Sequence, residues 1–206
     1  MKTKERILLG ALDLFNEDAA TEVTTNEIAR HLKMSPGNLY FHYKNKEQII
    51  RELFKRLADE TNLIWKPQTK LAKKNEKIQL VDFIERNLEL YWKFRFFHRE
   101  LYTLRKKDPE LANLWKLHLI KLVRLMIILY KHWVRTGVMI PIQTVTEMEF
   151  LAESLFVSSN SFMLFFESTE GVTHQKTIDK AQKLIMRMLM PYMTGETKDN
   201  FEKFIQ

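Results

Sequence analysis

Three helix starts fall between Thr24 and Gln48, and no other stretch restricts the fold of this chain as much. Thr24-x-x-Glu27 is a capping box: the threonine hydroxyl can accept the amide of the third helical residue, and the glutamate can reach back to the amide of the cap. Ser35 caps a second helix, with Pro36 at its first position, where no amide hydrogen is needed. Asn45 caps a third, with Gln48 three residues on. Only Lys33-Met34 separates the first two. Two short helices on so tight a turn form a helix-turn-helix, with Ile28, Ala29 and Leu32 turned inward.

The remainder also reads as helix. Five Gly and five Pro in 206 residues are too few for a turn-rich β architecture, so the expected fold is all-α, with about nine to ten helices. Thr3 is expected to cap a first helix with Ile7, Leu8, Ala11, Leu12 and Phe15 on one face. A helix of about 46–65 follows the reader, broken by Pro67. Residues 66–77, rich in lysine, read as a linker. Further helices are expected at about 76–94 (Ile78, Val81, Phe83, Ile84, Leu88 and Tyr91 inward), 97–107, 109–136, 144–168 and 174–192, with a short one at 197–205. Asp108-Pro109 splits the third of these from the second, Gly137 ends the 109–136 helix, Thr144-x-x-Glu147 is a second capping box, Glu170-Gly171 turns the chain and Thr173 caps again. Two domains are expected: a helix-turn-helix domain at 1–46 and a larger helical domain at 47–206.

Charge narrows the partners only when it is located. The net charge is +7 and the pI about 9.4. Residues 1–51 hold eight Lys/Arg against seven Asp/Glu, whereas residues 93–135 hold eleven against three and residues 142–206 six against nine. The reader therefore does not grip by bulk charge. There are no cysteines, which excludes disulfides and fits a reducing cytoplasm. The most apolar run, Leu117 to Tyr130, is broken by Lys121 and Arg124, so no membrane span is expected. Glu5 and Asp13 interrupt the N-terminal segment, and a signal peptide is not expected.

The local residue types in the reader suit DNA. The second helix of such a pair presents its N-terminal end to base edges in the major groove. Ser35, Pro36, Gly37 and Asn38 are small enough for close approach, and Asn38 can hydrogen-bond a base. Tyr40, His42, Tyr43, Lys44 and Lys46 can serve phosphates. The bland alternative is a plain helical hairpin with a solvated polar edge.

Beyond these residues, the segment ALDLFNED followed by TTNEIARHLKMSPGNLYFHYKNKEQII resembles the DNA-binding domain of the tetracycline-repressor (TetR) family of bacterial regulators. Tyr43 stands where the family usually has Phe, and Thr21-Glu22-Val23 where a Gly is common. The resemblance implies that Thr25, Ser35, Asn38, Tyr40, His42 and Lys46 contact DNA, and that Leu39 and Phe41 pack. The middle of the chain also resembles the C-terminal domain of one TetR subgroup. By that resemblance an effector in the second domain shifts the spacing of two readers, pulling the helix after the reader against it.

Aromatic residues concentrate between 91 and 166. Any one of them is most simply core. The functional reading is a cavity for a small, apolar or amphipathic effector, with Trp92, Phe96, Phe97, Trp115, His118, Met126, Tyr130, Phe156 and Asn160 as candidate lining. The basic bias of 93–135 allows the effector an anionic group. The 144–168 and 174–192 helices have apolar faces suited to a four-helix bundle with a second copy, with Leu151, Leu155, Ile178, Ala181, Ile185 and Met188 as candidate interface. The chain is thus expected to be a homodimeric, ligand-responsive repressor on a palindromic double-stranded operator. The alternative is a dimeric small-molecule or lipid carrier without transcriptional output, which the near-neutral reader keeps open. No glycine-rich phosphate loop, H-E-x-x-H or G-x-S-x-G occurs, and the six His are scattered. Catalysis, cofactor and metal binding are not expected.

Overall fold

Caps decide where the helices begin. In the computed structural model, which describes residues 2–74, 80–170 and 174–205, the chain forms α1 (Thr3–Glu17), α2 (Thr25–His31), α3 (Pro36–His42), α4 (Lys46–Lys74), α5 (Leu80–Lys93), α6 (Arg95–Lys107), α7 (Pro109–Arg135), α8 (Val145–Glu170), α9 (His174–Leu189) and α10 (Gly195–Ile205). A 3-10 turn at Met190–Tyr192 follows α9. Among the described residues there is no strand, and Met139 and Met193 form an isolated bridge.

The local signals act as their chemistry requires. Glu27 N donates to the Thr24 hydroxyl and Thr24 N to the Glu27 carboxylate at 2.8 Å, closing the capping box of α2. Asn38 N donates to Ser35 Oγ at 3.2 Å ahead of α3. Gln48 N donates to Asn45 Oδ1 at 2.9 Å, opening α4. The box of Thr144 and Glu147 opens α8. Asp108 Oδ1 accepts the amides of Glu110 and Leu111, which caps α7. Gly137 takes φ +71° after α7, a conformation that favours glycine.

Two expectations fail on local grounds. Thr3 is already helical; the cap position is Lys2, with no side-chain bond. Pro67 does not end α4, which continues to Lys74. Its missing amide removes one ladder bond, but Trp65 and Gln68 on either side are buried and hold the helix in place. Residues 66–74 of the expected linker are thus helical. Asn75, Glu76, Lys77 and Ile78, the Gly171 turn and the Thr173 cap lie outside the described residues.

The chain divides into two compact units, and not at the expected 46/47 boundary. The first comprises residues 1–60 and 94–116, so the reader helices share a unit with the start of α4, with α6 and with the start of α7. Ile7, Phe15, Ile28, Leu39, Leu53 and Phe54 form its core with Phe96, Phe97 and Trp115. Arg56 pairs with Glu5 at 2.6 Å, and Arg51 with Asp108 at 2.7 Å. The second comprises residues 61–93 and 117–206. Here α5 packs on α9 and α9 on α8, and α10 covers α9 through the buried Phe201.

Candidate nucleic-acid interface and ligand cavity

Burial sorts the reader residues. Leu39 is fully buried and anchors α3. Ser35, Pro36, Gly37 and Asn38 are exposed at its start, with Tyr40 and Lys44 further along. A Cβ at Gly37 would meet nothing within 4 Å, so the fold itself does not require glycine there. Thr25 at the start of α2 and Tyr40 on α3 hydrogen-bond through their hydroxyls at 2.8 Å, joining the two helices at the surface. His42 is half-buried and stacks edge-on with Phe41, centroids 5.1 Å apart.

Three residues depart from expectation. Phe41 was expected to pack, but it is 84% exposed. It lies two positions from Leu39, which is about 200° around a helix, so burying one presents the other. Tyr43 was expected at phosphate, but its side chain is fully buried and its hydroxyl donates to the Lys4 carbonyl at 3.5 Å. Burial raises its hydroxyl well above the ordinary value. Lys46 is half-buried, and its Nζ donates to the carbonyls of Ala20 and Thr21 at 2.7 and 2.9 Å. Burial lowers its pKa. It caps the loop before α2 rather than standing free for phosphate.

The same loop is held from the other side by Glu100 of α6. Its carboxylate accepts Ala20 N at 2.6 Å, Thr21 N at 2.9 Å and the Thr21 hydroxyl at 2.8 Å. Phe96 N donates to Asn16 Oδ1 at 3.2 Å, and Arg99 donates to the Phe15 carbonyl at 2.7 Å. Sequence periodicity offered no sign of this clamp, because its partners are about eighty residues apart.

The second unit contains a cavity of about 50 Å³. Trp65, Phe83, Trp133 and Phe156 supply aromatic walls, and Leu80, Ile84, Leu88, Met126, Leu155, Ile185 and Leu189 aliphatic ones. Asn87, Tyr91 and Ser159 complete the lining. Of the expected lining, Met126 and Phe156 are present. Phe96, Phe97 and Trp115 instead pack in the first unit: Phe96 against Phe15, centroids 5.3 Å apart, and Phe97 and Trp115 against Phe54 at 5.8 and 5.7 Å. Trp92 sits against the His174 ring at 5.0 Å. Tyr130 is core beside Trp133. Asn160 turns back, its Nδ2 donating to the Phe156 carbonyl at 2.6 Å. His118 lies outside the lining, and burial together with nearby Lys121 lowers its pKa to about 4. Sequence reasoning missed Trp65 and Asn87, which lie outside the aromatic-rich stretch; Trp65 Nε1 donates to Asn87 Oδ1 at 2.7 Å.

The expected interface residues also turn inward. Leu151, Leu155, Ile178, Ala181 and Ile185 are buried within the second unit itself, and Met188 is half-buried. Among the described residues, the large apolar side chains that α8 leaves exposed are Val145, Phe150, Val157, Leu164 and Phe165, and α9 leaves Leu184.

Residues 7–53 match the family described as bacterial regulatory proteins of the tetR family, and residues 68–201 match the one described as TetR, a bacterial transcriptional repressor. The chain belongs to the TetR family. The first matched segment holds every reader residue named above, and the second holds the whole cavity lining except Trp65. This TetR-family chain is 32% identical to the HTH-type transcriptional regulator QacR of Staphylococcus aureus over 104 residues, which is 50% of this chain and 55% of QacR. The match thus spans about half the length of that curated relative. A TetR-family regulator from Marinobacter aquaeolei VT8 superposes over the full length of both chains, with a TM-score of 0.88 and 27% identity. AibR, solved with isovaleryl coenzyme A and operator DNA, shares the fold at a TM-score of 0.65 and 17% identity, over 89% of this chain and 97% of its own. Among the described residues, no helix is long and apolar enough to cross a membrane, and no group of three His, Asp or Glu is placed to hold a metal.

Proposed function

We propose that this chain is a cytoplasmic, homodimeric, ligand-responsive repressor of transcription. It binds a palindromic operator with α3 in the major groove, and a small apolar effector in the second unit releases it. The observation that carries this reading is the exposed edge from Ser35 to Phe41, including a glycine for which the fold has no need. Ser35, Gly37 and Asn38 approach base edges, and Phe41 offers an apolar surface to a thymine methyl. Thr25, Tyr40, His42 and Lys44 take phosphates. QacR and AibR support the same reading through their names and, for AibR, its bound DNA.

Dimerisation uses the outward face of α8. Phe150, Val157 and Leu164 recur every seven residues and form a stripe on that face. A helix apolar on two faces needs a second partner. The two-fold dimer places two α3 helices about 34–36 Å apart, one turn of duplex.

Release follows from the size of the cavity. At about 50 Å³ it holds no drug-sized molecule, which needs roughly 300–1,000 Å³, so an effector must part its walls. Six of those walls are side chains of α5, and α5 leads through Phe94 directly into α6, whose Glu100, Arg99 and Phe96 hold α1 and the loop before α2. The effector thereby favours one of two dimer geometries. Gel shift on DNA flanking its own gene, with sedimentation of the wild type and of Val157→Arg, tests the proposal. A wild-type dimer that shifts the DNA, and a monomeric variant that does not, is expected. A wild-type monomer at micromolar concentration, or no shift with any flanking DNA, contradicts it.

A further inference from the structure

The cavity also constrains its ligand. Resting on the ligand-responsive reading above, we infer that the effector is an uncharged, flat-ringed molecule with one hydrogen-bond acceptor, which the indole N–H of Trp133 takes.

The first observation is charge. Among the described residues, the lining contains no Asp, Glu, Lys, Arg or His. An ion entering such a site loses its water and gains no counter-charge, a penalty that apolar contacts do not offset. The eleven basic residues between 93 and 135 suggested an anionic effector, yet none of them lines the cavity.

The second observation is an unused donor. Most buried N–H groups have an acceptor. Trp65 Nε1 has one in Asn87 Oδ1, and Asn87 Nδ2 donates in turn to the Phe83 carbonyl at 2.6 Å. Trp133 is 2% exposed, and its Nε1 has no acceptor among the described residues. It is therefore a donor in the lining that a ligand can engage, once the walls part, without breaking a bond already made. A carbonyl or ether oxygen meets it, whereas a hydrocarbon leaves it unpaired.

The third observation is shape. The Trp65 and Phe156 rings lie nearly parallel, 20° apart, with centroids at 6.1 Å. The two rings stack on each other and together offer one flat aromatic surface, on which a flat ring makes more contact than a branched body.

Four probes on one ring system test the inference on the full chain by calorimetry: naphthalene, 2-acetylnaphthalene, 2-naphthoate and the 2-naphthyltrimethylammonium cation. The neutral ketone is expected to bind about tenfold more tightly than naphthalene and more tightly than either ion, as one good hydrogen bond implies. Trp133→Phe is expected to abolish the ketone's advantage while leaving naphthalene within about threefold of wild type. In ¹⁵N-indole-labelled wild type, which needs no variant to fold, the ketone is expected to move one indole N–H resonance downfield and naphthalene is not. An ion that binds as tightly as the ketone, an advantage that survives Trp133→Phe, an unmoved indole resonance or no binding by any probe overturns the inference. Gel shift in parallel separates the two readings. Tight binding of an ion that also releases DNA overturns only the neutral effector, whereas a chain that shifts no DNA at all overturns the regulator.

Discussion

The carboxylate of Glu100 accepts two hydrogen bonds from Thr21, one from its backbone N–H at 2.9 Å and one from its hydroxyl at 2.8 Å. A third comes from Ala20 N, while Lys46 Nζ holds the carbonyls of the same two residues. The loop before the reader is thus satisfied on both sides by residues outside it. Glu100→Ala leaves three donors without their acceptor. It is expected to lower stability by about 2 kcal/mol, the range for bonds to a charged group. Urea unfolding measures this, and a loss near zero would show that the loop finds other partners.

Leu39 and Phe41 separate folding from reading. Leu39→Ala empties a fully buried site and is expected to cost about 2–5 kcal/mol of stability. Phe41→Ala removes an exposed ring and is expected to leave stability within about 0.5 kcal/mol. It is expected to weaken operator binding by about 1.4 kcal/mol, or tenfold. Melting curves and gel shifts on the same two variants check both halves.

Two lysines beside α3 are expected to differ in salt dependence. Lys44 is exposed, and Lys44→Ala is expected to flatten the slope of log affinity against log salt by about one unit. Lys46 is committed to the Ala20 and Thr21 carbonyls, and Lys46→Ala is expected to lower stability and leave the slope unchanged. Binding titrations at several salt concentrations distinguish them.

His118 makes the fold sensitive to acid. Its pKa is about 4 in the folded chain instead of the ordinary 6.5, because burial and Lys121 disfavour its charged form. Between those values the unfolded chain binds the extra proton. The contribution is therefore fully present above about pH 6.5 and is lost as pH falls toward about 4. His118→Gln is expected to reduce the fall in unfolding free energy over that interval by up to about 1.4 kcal/mol per pH unit. Urea unfolding at several pH values measures it.

What was legible in the sequence was local. Thr24 with Glu27, Ser35 with Pro36, Asn45 with Gln48, Thr144 with Glu147, and Gly137 all mark helix ends, because capping needs a partner only three or four residues away. The exposure of Phe41 and the burial of Tyr43 were also within reach: Tyr43 lies four residues from Leu39 and shares its face, while Phe41 lies opposite. What was not legible depended on distant partners. Phe96, Phe97 and Trp115 look in sequence like Met126 and Phe156, and only their packing around Phe15 and Phe54 assigns them to a different core. Helix α8 is apolar on two faces, so its pattern could not say whether Leu151 and Leu155 or Phe150 and Val157 faced inward. Pro67 misled because a local rule was outweighed by the burial of its neighbours.

Selection of bound duplexes from random DNA by the full chain tests whether paired α3 helices read an operator. The expected result is a palindrome whose half-sites are centred about 10 base pairs apart or a multiple of that, as two α3 helices about 34–36 Å apart require. In the same selection Asn38→Ala is expected to relax the base preference within each half-site. Enrichment of no sequence, or of a single unpaired site, would contradict a two-fold reader of DNA.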